Sequence, residues 1–204
     1  MIRRSLLVLA LGLVAALSTP ASAQDPVMAS AVRVVLETSA GAILVETDPR
    51  APVTSANFLR YVDEGRFDGT DFYRAMELGP GTGLVQGGTS NAPARVLPPI
   101  AHEPTSQTGL RHIDGALSMA RFDPGTADGD FFIIIGHQPG FDAGRAAPDE
   151  PGFAVFGRVV AGMDAVRAIF AAPRSPTEGE GFMRGQMLDP RVRIVSARRV
   201  PLVP

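Results

Sequence analysis

Few residues of this chain have the type and spacing that covalent or metal chemistry needs. It contains neither cysteine nor lysine, since all 19 of its basic residues are arginine. Thiolate nucleophiles, thiolate metal sites, Schiff bases, Walker phosphate loops and Ser-x-x-Lys hydrolysis are therefore excluded. The 3 histidines, His102, His112 and His137, have no metal-ligand spacing, and His102-Glu103 does not continue into H-E-x-x-H. They read as surface or loop histidines. No G-x-S-x-G elbow occurs, and Ser118 sits inside the apolar run 116–120, as a strand residue would. Asp123, Asp128 and Asp130 are too irregular for a calcium loop and read as turn and cap residues. The glycine-rich stretch 79–83 lacks the G-x-G-x-x-G frame and reads as a loop. No metal and no cofactor is expected. Any chemistry must rest on arginine, glutamine and apolar surface.

The elements that would position such groups are short. Gly (22) and Pro (18) are plentiful, which favours many turns over long helices. Residues 32–38 and 42–47 are β-branched runs separated by Ser39-Ala40-Gly41, the pattern of a hairpin. Pro52 opens a segment in which Val53, Ala56, Leu59 and Val62 recur at helical spacing, and Gly65 closes it, predicting a helix over about 52–64. Short apolar runs at 72–76, 84–86, 116–120, 131–135 and 153–160 then alternate with turn clusters, which predicts an all-β barrel or sandwich. A second helix is expected over 163–170, a long loop over 171–190 and a last strand over 191–199. No internal repeat or domain boundary interrupts residues 32–204, read as one domain after a flexible lead-in at 24–31.

The first 23 residues read as an export signal. Arg3 and Arg4 precede the apolar run Leu6 to Leu17, which is shorter than the roughly 20 residues of a membrane span. Ala21-Ser22-Ala23 offers small residues for signal peptidase, making Gln24 the expected new N-terminus and the periplasm the expected location, with no stable membrane insertion after cleavage. The formal net charge is −2, and the short cluster Arg191, Arg193, Arg198, Arg199 is no nucleic-acid footprint. A monomer is expected. With no cysteine, an exported domain must be held by its core rather than by disulfides.

Taken in order, a set of segments resembles the cyclophilin family. Asn57-Phe58 is similar to its V-x-N-F helix, Phe72-Tyr73-Arg74 to its F-H/Y-R strand, and Gln86-Gly87-Gly88 to its Q-G-G-D turn, with Thr89 in place of the acid. Leu117 to Arg121 resembles L-S-M-A in its bacterial form, Phe131-Phe132-Ile133 resembles S-Q-F-F-I, and Ala154 to Val159 with Gly162-Met163 resembles V-F-G-x-V…G-M. The resemblance spans residues 32–199. It implies a mainly β fold, a closed eight-stranded antiparallel barrel with two capping helices, whose interior is packed with side chains while peptide lies in an outer groove.

It also implies an activity, peptidyl-prolyl cis-trans isomerisation, which needs no nucleophile. The prolyl amide resists rotation by about 18–20 kcal/mol because its C–N bond is partly double. As it twists, the nitrogen lone pair is freed, and a fixed donor aimed at that atom binds the twisted state best. By resemblance Arg74 is that donor. Gln86 would orient it and hold the substrate backbone. Leu84 and Phe132 would line the proline pocket, Ala120 and Arg121 would lie along the groove, and Phe141 and Phe153 would be further substrate-binding residues. The partners would be proline-containing segments of unfolded or exported proteins. The sequence departs from the family between Arg74 and Gln86, where its stretch is longer and Gly83 stands in place of a pocket phenylalanine; Asp130, Gly140 and Phe153 replace a glutamine, an aromatic residue and a histidine or tyrosine. The alternative reading is a cyclophilin-like peptide-binding or chaperone module with little turnover.

Overall fold

The computed structural model describes residues 30–201; the export signal assigned to 1–23, and most of the lead-in at 24–31, lie outside the described residues. Eight strands, β1 (Arg33–Thr38), β2 (Gly41–Thr47), β3 (Thr70–Gly79), β4 (Thr82–Gly88), β5 (Ala116–Met119), β6 (Asp130–Ile135), β7 (Ala154–Ala161) and β8 (Met187–Val200), close into a barrel in the order β1-β2-β7-β5-β6-β4-β3-β8. Every pairing is antiparallel. Closure pairs both edges of every strand. The helices are α1 (Pro52–Asp63), α2 (Thr105–Thr108) and α3 (Met163–Ala171). The expected hairpin and both expected helices are present. The short α2 was not anticipated, since a single turn carries no periodicity.

Helix α1 closes one end of the barrel. Its Phe58 packs on Phe67, Phe131 and Phe156 with ring centroids 5.2–5.6 Å apart. Ala51, at the N-cap, has no side chain able to cap. Glu103, far along the chain, does so instead: its buried carboxylate accepts from the Val53 and Thr54 backbone N–H groups at 3.1 and 2.7 Å and from the Thr54 hydroxyl at 2.7 Å. Helix α3 covers the opposite end, near the β1–β2 and β3–β4 turns, with Val166 and Ile169 fully buried. The interior is filled by side chains from every strand, Phe72, Val85, Leu117 and Ile133 among them, so it is no ligand cavity.

Strands β3 and β4 run further than the sequence indicated. The glycine-rich stretch 79–83 is the tip of their hairpin, with Pro80-Gly81 as the turn. The loop expected over 171–190 is correspondingly shorter. It contains one 3-10 turn (Gly181–Met183), and β8 already begins at Met187.

Candidate active site

Strand β3 bulges at Tyr73. Phe72 pairs with Gly87 and Arg74 with Gln86, and the register against β8 shifts at the same point. In a regular strand Tyr73 and Arg74 would face opposite sides. The bulge re-aims them, so that both line one cleft on the outer face of the barrel. Gln86-Gly87-Gly88, read as a turn from the sequence, is the end of strand β4 and faces this bulge, and Gly88 has a steric reason to be glycine. Its φ is +130°, and a Cβ there would lie 2.3 Å from the Gly129 carbonyl oxygen.

The cleft has a volume of about 390 Å³. Its apolar floor is Leu84, Met76 and Phe132, and its wall is Phe141 and Phe153. Phe132, Phe141 and Phe153 meet pairwise edge to face at 5.3–5.9 Å. Phe132 is directly opposite Gln86 in the β4–β6 register. Ala120 borders the cleft. Arg121 borders the cleft and also braces its wall. Its guanidinium lies over the Phe153 ring at 4.9 Å and donates to the Gly152 and Phe122 carbonyls. Every site residue named from the sequence thus borders one cleft.

Gly83, which stands in place of the family's pocket phenylalanine, does not border the cleft. It leaves no gap in the cleft, because a Cβ there would point to the Met76 carbonyl oxygen at 2.0 Å and the Phe170 ring at 3.0 Å. In the longer hairpin Met76 pairs with Leu84, and it is this pair that lines the cleft.

Arg74 is 7% exposed and held on several sides. Nη1 donates to Gln86 Oε1 at 2.8 Å, and Nε and Nη2 donate to Gln186 Oε1 at 2.8 and 2.6 Å. Nη2 also contacts Met76 Sδ at 3.1 Å. Burial lowers the guanidinium from its ordinary pKa, yet an arginine stays charged. Gln86 is fixed in turn: its Nε2 donates to Tyr73 Oη at 2.7 Å, and Tyr73 donates to Asp130 Oδ2 at 3.0 Å. Asp130 also accepts from the Ser90 backbone N–H at 2.7 Å. Burial pushes both the Asp130 carboxyl and the Tyr73 phenol up. Asp130 is therefore a buried anchor and not the turn residue expected. Phe182, Met183 and Met187, which line the cleft, and Gln186, which holds Arg74, were missed in the sequence because the 171–190 segment has no period and matches no motif.

His112 lies in a loop, one of the two places read for the histidines, but not at the surface. It is fully buried, with Nδ1 at 2.7 Å from Asp142 Oδ1 and Nε2 at 3.0 Å from Ser118 Oγ. The order Ser-His-Asp is that of a hydrolytic triad. Ser118, however, is fully buried in β5, where no substrate carbonyl can reach it. The imidazole instead stacks on Phe132, with centroids 6.1 Å apart, and meets the edge of Phe141, supporting the cleft from beneath. Among the described residues no cluster of three or more histidine or acidic side chains could hold a metal.

Residues 33–199 match the family model described as cyclophilin type peptidyl-prolyl cis-trans isomerase/CLD. This chain belongs to that family. Among its relatives, peptidyl-prolyl cis-trans isomerase cyp18 of Streptomyces antibioticus is 37% identical over 151 residues, covering 72% of this chain and 87% of that protein. Peptidyl-prolyl cis-trans isomerase A of Dickeya dadantii is 38% identical over 140 residues, 66% of this chain and 69% of that one. A crystal structure of a cyclophilin type peptidyl-prolyl cis-trans isomerase from Cryptosporidium parvum superposes with a TM-score of 0.67 at 18% identity, covering 85% of this chain and all of that one, and shows the shared fold. The same Cryptosporidium protein was also crystallised in the presence of the dipeptide Ala-Pro.

Proposed function

We propose that this peptidyl-prolyl cis-trans isomerase acts on X-Pro bonds of unfolded, exported proteins, as a periplasmic monomer, with Arg74 as hydrogen-bond donor to the prolyl nitrogen. The observation that carries the reading is the juxtaposition of a fixed, charged guanidinium with an apolar cleft floored by Phe132, Leu84 and Met76. A proline ring seated on Phe132 anchors one side of the bond. The acyl side turns, and the pyramidalising nitrogen accepts from Arg74. That bond is absent in the planar ground state, where the lone pair is delocalised, so it lowers the barrier without tightening ground-state binding. Gln86, opposite Phe132, holds the guanidinium and offers its amide to the substrate backbone. Support for export is the arrangement of Arg3-Arg4, the apolar run 6–17 and Ala21-Ser22-Ala23.

The test is catalysed isomerisation of a short X-Pro peptide by wild type and Arg74→Ala, with peptide affinity measured alongside. Wild type is expected to accelerate exchange above the uncatalysed time of about 10–100 s, and Arg74→Ala to lose about 10²–10³-fold in kcat/KM. A wild type that binds the peptide without accelerating exchange would instead make the protein a binding module.

A further inference from the structure

The loop before β8 brings Gln186 beside Arg74, because β8 is the barrel neighbour of β3 and Met187 pairs with Arg74, and nothing in the family's motif accounts for what it does there. We propose that Gln186 is a positioning residue for Arg74, and that together with Phe182 it fixes the guanidinium so that one N–H is left for the substrate. This rests on the reading of Arg74 as the donor.

Four contacts define the arrangement. The Gln186 backbone is hooked to the residue beside Arg74, since its carbonyl accepts from the Ala75 N–H at 2.9 Å. Its side-chain oxygen sits in the fork of Nε and Nη2 at 2.8 and 2.6 Å. Its own Nε2 donates to the Phe182 carbonyl at 2.7 Å, which settles which end of the amide faces the arginine. The Phe182 ring then lies over the guanidinium, 5.4 Å from Cζ to the ring centroid. With Gln86 and Met76 added, Nε, both hydrogens of Nη2 and one of Nη1 have partners. A guanidinium has five N–H groups. The remaining one, on Nη1, has no partner among the described residues.

An unsupported arginine samples many rotamers, and a donor displaced by about 1 Å can cost ~10²-fold in rate. Gln186 removes that freedom.

The test compares Gln186→Met, of similar length but with no acceptor oxygen, with Gln186→Glu, which keeps one, alone and in an Arg74→Ala background. Circular dichroism and melting temperature serve as folding controls, and the readout is exchange of an X-Pro peptide. Gln186→Met is expected to lower kcat about 10-fold with KM changed less than about twofold, because the apolar floor is untouched. Gln186→Glu is expected to recover most of that loss. In the Arg74→Ala background Gln186→Met should cost nothing further, since the two act as one unit. A folded Gln186→Met protein at wild-type kcat, a loss confined to KM, or equal impairment of Met and Glu would each overturn the proposal. If Arg74→Ala itself keeps wild-type activity, the donor assignment fails first, and the role of Gln186 fails with it.

Discussion

His112 shows how a single residue couples the site to the solution. Its ring is sealed between Asp142, Ser118, Phe132 and Phe141. Burial lowers its pKa below the ordinary value near 6.5, outweighing the opposing pull of the Asp142 carboxylate. The unfolded chain then takes up the proton more readily than the folded one. The stability this residue contributes is fully present above about pH 6.5, and it declines as pH falls below that value towards the folded-state pKa. His102, also lowered by burial, acts in the same direction, whereas Glu46, Asp48, Glu64 and Asp68, lowered by arginine partners, matter only in more acidic solution. Denaturant midpoints between pH 8 and pH 5.5 should therefore fall more steeply for wild type than for His112→Asn. Parallel slopes would show that His112 does not carry the proton linkage.

At the scale of elements the β3–β4 hairpin matters most. It supplies Tyr73, Arg74, Met76, Leu84 and Gln86, and its bulge turns two consecutive side chains to one face. Gly83 sets how closely β4 approaches the Met76 backbone of β3 and the Phe170 ring of α3. Gly83→Ala should cost about 1–3 kcal/mol and lower the melting temperature by several degrees; an unchanged melting curve would mean that the hairpin can move away from α3. The strand runs and both long helices were legible because barrel strands alternate with turn residues and α1 repeats its apolar positions at 3.6-residue spacing. Arg74, Gln86 and Phe132 were legible as members of motifs, and Phe153 as a departure from one. The role of Gly83 was not, because the pairing register of a lengthened hairpin decides which face a residue takes, and neighbours in sequence do not reveal it. Nor were Gln186 and Asp130: their partners are remote in the chain, Arg74 in one case and Tyr73 and Ser90 in the other.

As a whole molecule the chain is a closed barrel with no cysteine, held together by a cluster of Phe58, Phe67, Phe72, Phe131 and Phe156. Such a core makes the redox state of the surroundings irrelevant to folding, as the export proposed above would require. Intact-mass measurement of protein from the native periplasm should give a chain beginning at Gln24, and recovery of uncleaved protein in the inner membrane would contradict export by a cleaved signal. The same rigidity is what a catalyst without covalent chemistry requires, because a donor must already be in place when the amide twists. The central claim, that Arg74 favours the twisted amide and not merely the bound peptide, is tested most directly by NMR exchange spectroscopy of an X-Pro peptide with wild type and Arg74→Lys. Lysine keeps the charge but lacks the planar fork that Gln86 and Gln186 hold. The expected result is a fall in exchange rate of about 10²–10³-fold with the peptide Kd for both isomers nearly unchanged; a folded Arg74→Lys protein that interconverts the isomers at the wild-type rate would contradict the claim.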